Sequence, residues 1–123
     1  MYSGEVLDHF QNPRNVGDVA DADASAELQN PACGDILRLS VKLAAGRVSE
    51  ARFRAKGCVP AIACGSRLSE MMQGRRVEEL RSLYREDLVE SLGGLPPASA
   101  HAGHLAMDAL AAILKQIAPS TKT

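Results

Sequence analysis

The chain reads as an α+β fold, a small antiparallel β-sheet covered on one face by helices. Two patterns predict it. Residues 37–43 and 51–56 alternate apolar and polar side chains on either side of a short glycine-containing break, as a half-buried hairpin does. Downstream, apolar residues recur at helical spacing between glycine and proline stops. With 123 residues, 46% of them hydrophobic, the chain can fill one core, and a single domain over residues 1–123 is expected.

Taken in order, Ser3 to Gln11 reads as a short helix. Ser3 is its cap, Val6, Leu7 and Phe10 share one face, and Pro13 ends it. Residues 14–32 carry repeated Gly, Asp, Asn and Pro and read as loop, with an edge strand near 24–28. The hairpin follows. Leu37, Leu39, Val41 and Leu43 alternate with Arg38, Ser40 and Lys42, and Ala51, Phe53 and Ala55 alternate with Arg52, Arg54 and Lys56. A three-residue loop, Ala44-Ala45-Gly46, with Gly46 as a left-handed bulge residue, pairs Leu43 with Arg47, Leu39 with Ala51 and Leu37 with Phe53. Extended, that register sets Asp35 opposite Ala55 and Cys33 opposite Gly57, so two cysteines emerge at one end of the hairpin. Pro60 suits the first position of a helix whose Ile62, Leu68 and Met72 run to Gly74. Short helices are expected over 77–83 and 86–92, and residues 93–97 break the chain. From a cap at Ser99, a last helix carries Leu105, Ala106, Ala109, Ile113 and Ile117 on one face and stops at Pro119.

Charge and composition exclude several function classes. A formal net charge of −1 with scattered basic residues gives no phosphate track for nucleic acid and no anionic-membrane patch. Arg75-Arg76 reads as a solvated face. No apolar run approaches the roughly 20 residues a bilayer span requires, and the opening Met1-Tyr2-Ser3-Gly4-Glu5 has neither a basic leader nor an apolar signal core. A cytoplasmic protein is expected. Its three cysteines, Cys33, Cys58 and Cys64, would stay reduced there.

Cys33 lies between Ala32 and Gly34, with Asp35 adding an oxygen donor close by. Cys58 follows Gly57 and directly precedes a helix, where unpaired amides and the helix dipole favour a thiolate. His101 falls in the first turn of the last helix. Two sulfurs, one oxygen and one nitrogen suit zinc or an iron–sulfur cluster and suit calcium or magnesium poorly. Spacing alone leaves a second reading open, in which these are buried small residues and a helix-capping histidine.

Four stretches resemble the NifU/IscU-type iron–sulfur cluster scaffolds, in order and over nearly the whole chain. They are Asp8-His9-Phe10-Gln11-Asn12-Pro13-Arg14-Asn15-Val16-Gly17, Pro31-Ala32-Cys33-Gly34-Asp35, Ala51-Arg52-Phe53 through Gly57-Cys58 to Ala61-Ile62-Ala63, and Leu95-Pro96-Pro97 leading to His101. The resemblance implies a non-enzymatic assembly platform that builds a [2Fe–2S] cluster from iron and desulfurase-derived sulfur, then passes it to apo acceptor proteins. It also implies that Cys33 and Cys58 are cluster thiolates, that Asp35 tunes release, and that His101 is a ligand or near-ligand.

Two positions depart from that family pattern. Its third ligand cysteine, also implicated in taking up persulfide, would stand at residue 102, which is Ala102 here. A lysine of its chaperone-recognition segment would stand at Ser99, which puts an Hsp70-type partner in question. Cys64 and His104 are auxiliary candidates. Cys64, six residues into the helix, is about 9 Å of rise from Cys58 and reads first as a core residue. His104, one turn beyond His101, either replaces the lost thiolate by nitrogen, as in clusters with two histidines on one iron, or pairs with Asp108 on an exposed face. Two alternatives accompany the scaffold reading. One is a zinc-bound sulfur acceptor like the SufU-type relatives, and the other a degenerate family member that only binds a cysteine desulfurase.

Overall fold

The computed structural model describes residues 2–32 and 34–117. Its elements run α1 (Gly4–Gln11), β1 (Ala24–Gln29), β2 (Ile36–Ala44), β3 (Arg47–Lys56), α2 (Val59–Met72), α3 (Val77–Arg81), α4 (Arg85–Ser91) and α5 (Ala100–Gln116), with a 3-10 turn at Pro97–Ser99. The three strands form one antiparallel sheet in the order β1-β2-β3, packed on α2 and α5. The α+β expectation holds.

Leu37, Leu39, Val41, Ala51 and Phe53 fill the inner face of the sheet and are almost fully buried. Against them pack Ala61, Cys64 and Leu68 of α2 and Ala106, Ala109, Leu110 and Ile113 of α5. The approach is close. A methyl group at Gly65 of α2 would lie 2.6 Å from the Phe53 ring and 2.9 Å from a Leu37 methyl.

The hairpin register differs from expectation by two residues. Leu37 pairs with Ala55, Leu39 with Phe53, Val41 with Ala51, and Ala44 with Arg47. Two local causes add together. The loop is only Ala45-Gly46, both left-handed with φ of 53° and 77°, a combination typical of two-residue hairpins. Ser49 is then an extra residue on β3, because Leu43 faces Val48 while Lys42 faces Glu50. Each change shifts the pairing by one, and a shift of two preserves side-chain parity. Leu37, Leu39, Ala51 and Phe53 therefore share the buried side as expected, and the bulge turns Val48 inward as well.

Residues 14–23, part of the stretch expected to be loop, have a definite job. Asn15 and Gly17 exchange backbone hydrogen bonds with Phe53, sealing the edge of β3. The chain then crosses the outer face, where the Val19 N–H donates to the buried Ser40 hydroxyl at 3.0 Å. Asp18 there accepts from both Arg38 and Arg54.

Other expectations need smaller corrections. In α1 the residue packed beside Val6 is His9, while Leu7 and Phe10 are 40% and 37% exposed. Ser3 does cap α1, accepting from the Val6 N–H at 3.0 Å, and its hydroxyl also donates to the Leu92 carbonyl at the end of α4. Helix α2 begins one residue before Pro60, and Ile62 is only partly buried. Ser99 occupies the N-cap of α5 without a side-chain capping bond, because it already ends the 3-10 turn. The stop at Pro119 lies outside the described residues.

Candidate metal centre

One end of the sheet collects three donors. The β2–β3 ladder ends at Ile36 and Lys56, which brings Asp35 against Gly57 rather than Ala55. Gly57 has φ of 151°, and a side chain there would have no room beside the Asp35 carboxylate. The chain then reaches Cys58, the N-cap of α2. Asp35 accepts twice from this residue, from its N–H at 3.3 Å and from its thiol at 3.0 Å. The carboxylate is buried, at 5% exposure, yet remains hydrogen-bonded.

Helix α5 delivers the third donor. After the half-exposed Leu95-Pro96-Pro97 segment, its first turn points the His101 imidazole inward. His101 Nε2 lies 3.7 Å from Cys58 Sγ and 3.6 Å from Asp35 Oδ2. All three ligand atoms fall within 4.8 Å of one another. Around a tetrahedral zinc ion, bonds of about 2.0–2.3 Å put neighbouring donors roughly 3.3–3.6 Å apart. The observed triangle is within about half an ångström of that spacing, so the donor set fits one first-row metal ion.

Cys33 lies outside the described residues. Its neighbours sit in the loop joining β1 to β2, closed by Asn30 N–H donating to the Asp35 carbonyl and Gly34 N–H donating to the Asn30 carbonyl. Cys64 is apart from the three donors, fully buried in the core, and burial pushes its thiol up to about 12. Ala102 is 1% exposed and faces the core. His104 is exposed on α5 and outside the close group, but it lines a cleft of about 220 Å³ with His101, Leu105, Asp108, Asn30 and Pro31.

The Asp8–Gly17 string acts elsewhere, as a clamp. Asp8 accepts from Arg14 at 2.7 Å and Asn12 at 3.1 Å. The Ser66 hydroxyl accepts from the Arg14 N–H at 2.9 Å and lies 2.7 Å from His9 Nδ1. The motif thus fastens α1 and the crossing segment to α2. Sequence reasoning did not assign these roles, although a buried serine on a helix otherwise lined with small apolar residues signals a partner.

Comparison with known proteins decides the family. The NifU-like N terminal domain model matches residues 1–122. The chain belongs to this family. It is 44% identical over 110 residues to iron-sulfur cluster assembly scaffold protein IscU 1 of Archaeoglobus fulgidus, covering 89% of this chain and 72% of that protein. It is 41% identical over 118 residues to the IscU scaffold of Azotobacter vinelandii, covering 93% and 91%. Among solved structures, a NifU-like protein (N-terminal) from Brucella abortus superposes with a TM-score of 0.77 at 22% identity, covering 94% of this chain and 92% of that one. A putative SUF-system scaffold from Fervidobacterium islandicum gives 0.75 at 17% identity, covering 92% and 96%. These two likenesses establish the shared fold.

Proposed function

We propose that this NifU-like chain is a non-enzymatic scaffold that holds iron or a labile [2Fe–2S] cluster as cargo, with Cys58, Asp35 and His101 among its ligands. The observation that carries this reading is the convergence of those three donors at one end of the sheet. Cys33, two residues before Asp35, is proposed as the second thiolate. The relatives' description as cluster assembly scaffolds supports the reading.

The residues divide the work. Cys58 stands at the start of α2, where the helix dipole favours negative charge on its sulfur once the proton is replaced. Asp35 holds the thiol in place through its proton, and an arriving metal replaces that proton. His101 supplies nitrogen from a separate element, the first turn of α5. A cysteine desulfurase is the proposed sulfur source and apo iron–sulfur proteins the acceptors.

Anaerobic reconstitution with iron and sulfide tests the proposal. The parent should gain both in equal amounts with visible charge-transfer absorption, and Cys33→Ser and Cys58→Ser should each lose most of it. Variants that load as well as the parent would sink the assignment. The near-tetrahedral spacing of one sulfur, one oxygen and one nitrogen also favours a second reading, a zinc-bound sulfur acceptor. Zinc without sulfide in protein purified anaerobically, together with stimulation of a desulfurase, would select it. Desulfurase binding with neither metal would instead favour a chain that keeps only the partner-binding role.

A further inference from the structure

The three converging donors leave the outer side of His101 unexplained. Asp35 is buried and Cys58 half-buried, whereas the His101 side chain is 35% exposed. On its other side is the cleft of about 220 Å³ between α5 and the loop that follows β1. Two exposed donors line that cleft with it, His104 and Asp108.

Their spacing suits cation capture. Residues 101, 104 and 108 are steps of three and four along a helix, which places them on one face. A nitrogen and a carboxylate oxygen one turn apart can chelate a divalent first-row ion, and imidazole and carboxylate both suit ferrous iron or zinc. The facing wall offers Asn30 and Pro31, from the loop that continues to Cys33.

The geometry points to an entry site. His104 and Asp108 capture a hydrated divalent first-row cation in the cleft, and His101, which lines both cleft and metal centre, passes it to Asp35 and Cys58. This rests on the metal-binding reading proposed above. It assigns His104 a loading role without making it a resident ligand, and it makes Asp108 part of the same path. No bond other than metal–ligand exchange is involved, and the thiol proton leaves to solvent when the ion arrives.

Stopped-flow loading with cobalt(II) alone, followed by thiolate-to-cobalt absorption, tests it. The signal is assigned by its loss in Cys58→Ser. His104→Ala combined with Asp108→Asn should slow loading about threefold or more and leave the final absorption unchanged, as removal of rim charges slows association. Both positions are exposed on a long helix, and an unchanged melting temperature would confirm folding. An unaltered rate would overturn the entry site while leaving the metal centre intact. A lost end-point would overturn it too, by making His104 or Asp108 a resident ligand. No thiolate signal in the parent would overturn the metal-binding reading and the entry site together.

Discussion

At the scale of single residues, the two described cysteines are opposites in chemistry. Cys64 has no exposed surface and a thiol pushed up to about 12 by burial, with Cys58 adding to the rise. Iodoacetamide at pH 8 should therefore label Cys58 and leave Cys64 intact in the folded protein, as peptide mass spectrometry would show. Gly57 is the tightest fit in the centre. Gly57→Ala should cost about 1–3 kcal/mol, read from denaturant midpoints, and should weaken metal binding by moving Asp35 off Cys58. His9 gives a pH dependence. Burial, then the Arg14 charge, hold its imidazole below the ordinary 6.5, so the folded state takes up its proton later than the unfolded chain. Stability from this group is complete above about 6.5 and falls as pH drops through the lower folded value. Melting temperature should decline over that window in the parent and flatten in His9→Gln. Asp35, Cys58 and His101 could be named as candidate donors from sequence, although their spacing alone left a second reading open and the motif resemblance was needed to single them out. The His9–Ser66 pairing was illegible because nothing local says which buried hydroxyl a histidine will meet.

At the scale of elements, period and punctuation located the α-helices and the first two strands to within two residues, while the alternation at 51–56 covered only the second half of β3 and pairing was harder still. The hairpin loop and the bulge each displaced the register by one, and neither leaves an unambiguous mark, because Ala45 is an unusual residue for a left-handed turn. That same residue offers a test. Ala45→Asn should stabilise the protein by about 0.5–1 kcal/mol, since asparagine tolerates this backbone region and alanine does not. Equilibrium unfolding would measure it. The α1 face was misjudged for a different reason. Helical spacing allowed Leu7 and Phe10 to face the core, but α2 receives Val6 and His9, and tertiary contact settled the choice.

At the scale of the whole molecule, the sheet's two outer edges are closed by the same device. Gln116, in the last turn of α5, accepts from the Ser25 N–H at 3.0 Å and donates to its carbonyl at 2.6 Å. Gln73, just beyond α2, does the same for Ala51, at 3.3 Å and 2.8 Å. Each amide mimics a neighbouring strand where an open edge invites association. Gln116→Ala should expose part of β1 and raise the self-associated fraction in sedimentation experiments at high concentration. Such long-range closures cannot be read from local pattern, and the packing of α5 across β1 and β2 was likewise only implied by its apolar stripe. That helix has His101 in its first turn and Gln116 in its last. The donors thus come from an early loop, a middle helix and a late helix, and the late one must lie flat on the sheet before its imidazole can reach the other two. On the metal-binding reading proposed above, a chain that has made Asp35 and Cys58 but not yet docked α5 offers an ion only part of its grip, so completion of the fold would act as a checkpoint on taking up reactive metal.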